Sequence, residues 1–148
     1  MSDSTVFIPP ERRPSRAPFI PPLLLIPFII YNLVAFVFMG GSPAGWANPV
    51  FSIQMVSGQP WSLTAGDLML VVALICLFFE VLKSTNSGRT SVVEHMLSTV
   101  LFIICLIEFL LVGAAASSVF FILMMTIFDV VAGFTVSITS AGRDVTMA

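Results

Sequence analysis

Charge is what this sequence holds least of. Only 9% of its 148 residues are Asp, Glu, Lys or Arg, where a soluble domain carries about 25%. Hydrophobic residues make up 57% of the chain and the mean hydropathy is +1.05. So short a chain cannot hide that many apolar side chains from water in a core of its own. An all-α integral membrane protein is expected. The net charge of -2 and the absence of a basic block argue against a nucleic-acid partner.

The scarcity extends to the residues that build reactive sites. The two cysteines, Cys76 and Cys105, fall inside apolar runs, with no CxxC and no Cys/His cluster, and read as small buried hydrophobes. The one histidine, His95, cannot supply the paired axial ligands of a membrane haem or a tetrahedral zinc site. No Ser/His/Asp set, Walker loop, GxGxxG, HExxH or di-carboxylate metal spacing occurs. Neither enzymatic activity nor a resident cofactor is expected.

What the chain does have is apolar runs of membrane-spanning length, about 20 residues each. Four are expected as transmembrane helices, at residues 19–39, 64–82, 92–112 and 118–139. Together they make one four-helix domain over 19–140, flanked by a polar, proline- and arginine-bearing tail at 1–18 and a short tail at 141–148. The first run is too long for a signal-peptide core, and Gly45-Trp46-Ala47 is a poor cleavage site, so the run reads as a retained helix. Pro21 and Pro22 suit its first turn, and Pro27 is expected to kink it by freeing the carbonyl of Leu23. Thr64 or Ser62 is expected to cap the second helix with Asp67 in its first turn, and Ser91-Val92-Val93-Glu94 to open the third as a capping box.

The basic residues set the expected orientation. Arg12, Arg13 and Arg16 precede the first helix, Lys83 and Arg89 flank the link between the second and third, and Arg143 follows the fourth. The link at 40–63 and the turn at 113–117 carry none. Both termini therefore belong on the cytoplasmic side, in a bacterial inner membrane. The link between the first two helices is expected to rest on the outer interface, with Trp46 and Trp61 as headgroup-level anchors and Pro49 to Val56 as a short interfacial helix or strand.

A few polar groups interrupt the apolar runs. Near the cytoplasmic end, Glu80, Lys83, Arg89, Glu94 and His95 form an expected ion-pair cluster. Deeper lie Glu108 and, near the middle of the fourth run, Asp129. A carboxyl at mid-bilayer costs on the order of 3 kcal/mol to insert. Spacings of three and four residues place Asp129 on a stripe with Thr126 and Gly133. Similar stripes hold Ser98, Leu101, Cys105 and Glu108 on the third helix, and Met69, Ala73, Cys76 and Glu80 on the second. Phe78, Phe79, Phe102, Phe109, Phe121 and Phe128 fall largely outside them. Helices in lipid meet through small and polar residues, so the stripes should face inward. Asp129 is expected to bond Asn32, Tyr31, or a hydroxyl of Ser98 or Thr99. With no basic residue at its depth, it is expected to be a neutral acid donating that bond.

The function expected from these features is that of a small non-enzymatic accessory or assembly subunit. It would sit in the lipid bilayer and bind other membrane proteins, or itself as a homo-oligomer, through the helix faces. The alternative is a small oligomeric transporter or proton/ion pathway using Asp129 and Glu108.

Overall fold

In the computed structural model, residues 21–84, 89–113 and 117–146 are described, with side chains throughout except at 89–92, 117–118, 137 and 140–146. The N-terminal tail with its arginines, the side chains of Arg89 and Ser91, and that of Arg143 lie outside this description. The element order is helix α1 (Leu25–Leu33), prolonged by a π-turn (Val34–Phe38), a 3₁₀ turn (Pro43–Ala47), strands β1 (Pro49–Gln54) and β2 (Pro60–Thr64), then helices α2 (Ala65–Ser84), α3 (Arg89–Leu111) and α4 (Ser117–Thr146).

Three helices are long and apolar enough to cross a membrane, at Ala65–Ser84, Val93–Leu111 and Val119–Val136, and a shorter apolar one covers Leu25–Phe38. Helix α4 is central, with α2 and α3 packed on either side of it. Helix α1 lies mainly against α2, with a smaller contact to α4. The first residues of α1, the last turn of α2 and the start of α3 share one end, because Glu80 accepts the Leu23 N–H and Lys83 meets Glu94. This is the entry end; the other is the hairpin end.

Two helix starts differ from expectation. Pro21 and Pro22 precede α1 instead of opening it, and Leu25 is its first residue. Pro27 therefore stands in the first turn, where an N–H has no helical partner in any case. The carbonyl of Leu23 is not freed: the Ile26 N–H donates to it at 3.0 Å. Helix α3 begins at Arg89, so Ser91 already lies within it and no capping box is centred there. Glu94 instead faces Lys83 at 3.6 Å. The start of α2 is as the residues suggest. The Thr64 N–H and hydroxyl donate to the Asp67 carboxylate at 2.9 and 2.7 Å, and the Asp67 N–H donates back to Thr64 Oγ1 at 3.1 Å. Such a cap is worth about 1 kcal/mol.

The inward faces follow the three-and-four spacing. Met69, Ala73 and Glu80 of α2, His95, Ser98, Leu101 and Cys105 of α3, and Val119, Ile122, Leu123, Thr126 and Asp129 of α4 are buried. Phe78, Phe79, Phe121 and Phe128 are exposed, whereas Phe102 and Phe109 are half-buried against the core.

Candidate functional site

The polar side chains sort into two layers. At the entry end, Glu80 is held from two sides. Its Oε2 accepts the backbone N–H of Leu23, which closes the amino end of α1 across 57 residues of sequence. Its Oε1 accepts from Lys83 at 2.9 Å. Lys83 reaches Glu94 at 3.6 Å and the Pro21 carbonyl at 3.5 Å. A carboxylate at a helix amino terminus also meets the positive end of its dipole, so this acid is stabilised by a cation and by α1 together.

Asp129 belongs to the same layer. It is 3% exposed, and its carboxyl shares a hydrogen bond with the Ser98 hydroxyl. Glu80 and Lys83 are near enough to act on it electrostatically. The expectation of no basic residue near Asp129 is thus corrected: Lys83, the next-to-last residue of α2, pairs with Glu80 and acts electrostatically on Asp129. Next to this pair the His95 ring lies against the backbone of Gly133, where a Cβ would fall well inside contact distance of Nδ1 and Cε1. The close approach of α3 and α4 at this level requires glycine. The Phe134 ring lies beside the imidazole, tilted by 39° with ring centres 5.9 Å apart.

The second layer lies toward the hairpin end. The Asn32 side-chain amide donates to Glu108 Oε2 at 3.0 Å and to the Phe28 carbonyl at 3.1 Å. Glu108 Oε1 is buried with no hydrogen-bond partner. Of the alternative partners expected for Asp129, the Ser98 hydroxyl is the one it meets, and the Asn32 amide lies with Glu108 instead. Tyr31 stacks on Trp46, with centroids 5.0 Å apart and planes at 13°. Thr99 donates to the His95 carbonyl of its own helix.

Trp46 was expected as a headgroup anchor and is instead 6% exposed, within the bundle end. Gly40 and Gly41, with φ of 57° and 77°, turn the chain back over α1, and the 3₁₀ turn then drops the indole onto Tyr31. Only glycine takes two such angles in succession at low cost. Trp61 stays exposed.

Between the layers the interior is apolar. Ala73, Leu101, Cys105, Ile122 and Leu123 are buried there, and the Thr126 hydroxyl donates to its own helix at Leu123 O. Ser98 and Glu108 are ten residues apart on α3, about 15 Å at 1.5 Å per residue. No group of three or more His, Cys, Asp or Glu suited to a metal ion occurs among the described residues. Compared with models of protein families, with curated proteins and with solved structures, the chain matches none of them.

Proposed function

We propose that this chain is a small, non-enzymatic accessory subunit of a membrane assembly. It would receive a helix of another membrane protein, or of a second copy, along the seam between α1 and α3. The observation that carries this reading is Glu108. One oxygen is bonded to Asn32 and the other is buried without a partner. An unsatisfied buried acceptor costs about 1–3 kcal/mol. A furrow lined by Pro21, Pro22 and Leu25 on one side and Leu97, Val100 and Ile104 on the other opens between α1 and α3, and on α3 its lining ends one helical turn before Glu108. A helix seated there could bring an amide, hydroxyl or basic donor to the depth of Glu108 and offset that cost.

In this reading α1 crosses the bilayer with the other three helices, aided by the apolar residues before Leu25. Both termini face the cytoplasm, in a bacterial inner membrane. The support for that side is the placement of all six basic residues on the tails and at the α2–α3 link.

A second reading, a proton or ion pathway, draws on the gathering of Asp129, Ser98, Glu80, Lys83 and His95 at one level. The apolar layer between Asp129 and Glu108 weighs against it, since a relay needs polar groups at successive depths.

Isolation of the chain in mild detergent, with mass spectrometry of what accompanies it, separates the two. A stoichiometric partner that is lost in Glu108→Leu and kept in Asp129→Asn is the expected result. A chain that isolates alone, and that conducts protons in vesicles until Asp129 is changed to Asn, would sink the accessory reading.

A further inference from the structure

The β-hairpin carries an apolar face that the other described residues leave largely uncovered. Its register pairs Phe51 with Leu63 and Ile53 with Trp61, so these four side chains share one face. Ser52 pairs with Ser62 on the other face, their hydroxyls 2.8 Å apart. Gln54 is on that face too, its amide donating to the Gly58 carbonyl at 2.6 Å. On the apolar face Phe51 is 54% exposed and Ile53 and Trp61 are each 44% exposed. A lone two-stranded hairpin is marginal in water, and this one leaves three of the four side chains on its apolar face exposed.

Three observations identify what covers it. The hairpin joins α2 without a linker: Thr64 both ends β2 and caps the helix, and the Ala65 N–H donates to the Asn48 carbonyl at 3.1 Å. It therefore stands at the level where the apolar length of α2 begins. Residues 40–63 contain no charged side chain, which leaves no electrostatic means of docking on a charged protein surface and suits the border between headgroups and acyl chains. Trp61 offers an apolar ring with one polar N–H at that level, the combination favoured at such borders.

We propose that the hairpin is a lipid-docking element. Its face of Phe51, Ile53, Trp61 and Leu63 lies in the leaflet at the hairpin end, and its face of Ser52, Gln54 and Ser62 is turned to water. This assignment does not depend on the accessory reading or on Glu108.

The test uses the full chain in phosphatidylcholine vesicles with and without bromine on the acyl chains. Trp46→Phe leaves Trp61 as the sole indole, and Trp61→Phe removes it. The expected result is that Trp61 emission is lost to brominated lipid and is insensitive to aqueous iodide. Emission quenched by iodide and untouched by bromine overturns the proposal. A second measurement covers the case in which Trp46→Phe does not fold. In nanodiscs, Ser52→Cys should react with a membrane-impermeant maleimide and Ile53→Cys should not, each read against the unsubstituted chain. Equal reaction at both positions overturns the proposal. So does protection of Ile53→Cys together with Trp61 emission that bromine leaves intact, since the face is then covered by protein.

Discussion

At the entry end of the bundle, Lys83 stands between Glu80 and Glu94, and Asp129 has the hydroxyl of Ser98. At the hairpin end, Glu108 has one amide for one oxygen and nothing for the other. Both layers sit among apolar side chains, yet only the first supplies both signs of charge. A layer that satisfies itself fixes the packing of its own helices. A layer left half-satisfied has free energy to gain from a neighbour. Under the accessory reading proposed above, structure and recognition divide between two depths of one small bundle.

The comparison breaks most sharply at Lys83. Lys83→Met strands Glu80 and Glu94 without their cation, and removing one member of a buried pair costs about 3–5 kcal/mol. Thermal or denaturant unfolding in micelles should show a loss of that size. A change under about 1 kcal/mol, the worth of an exposed pair, would mean that the entry-end layer does not hold the helices together.

Gly133→Ala should follow, at about 1–3 kcal/mol, because overpacking at a close helix contact forces the backbones apart. His95→Ala in the same chain should recover part of the loss. Simple additivity of the two changes in a double-mutant cycle would show that the imidazole and the glycine are uncoupled.

Asp129→Asn should cost on the order of 1 kcal/mol, since the amide can still bond Ser98. Asp129→Leu, which strands that hydroxyl in the core, should cost visibly more. Equal losses in the two variants would show that the hydrogen bond contributes little.

Glu108→Gln should change the stability of the isolated chain least, by less than about 1 kcal/mol, because a Gln oxygen can accept from Asn32 as the carboxyl does. A loss as large as that of Lys83→Met would erase the distinction between the layers.

Much of this arrangement is legible from residue spacing. Met69, Ala73 and Glu80, then Ser98, Leu101 and Cys105, then Thr126 and Asp129 recur at three, four or seven residues and are buried. The Thr64/Asp67 cap is legible for the same local reason: its partners are three residues apart. What spacing cannot give is relative depth between helices. Placing Asn32 beside Asp129 assumed that helix one began at residue 19 with Pro27 as a kink. The helix begins at Leu25, and its anchor on Glu80 sets Leu23 at the entry-end layer, nine residues before Asn32. That distance is about 13 Å even at the helical rise, enough to carry Asn32 up to Glu108. Trp46 escaped for a different reason. Its burial depends on two consecutive left-handed glycines and a ring 15 residues away, and no periodicity records either.

The bond from Leu23 to Glu80 also bears on how the chain is made. Helix α1 is synthesised first, but the acceptor for its leading amide lies 57 residues downstream. An amide without a partner is costly in hydrocarbon, so the leading amide of α1 gains its acceptor only once α2 has been translated and turned back beside it. The two segments should therefore enter lipid as a unit, and a ribosome stalled before residue 80 should leave the first of them open to extraction.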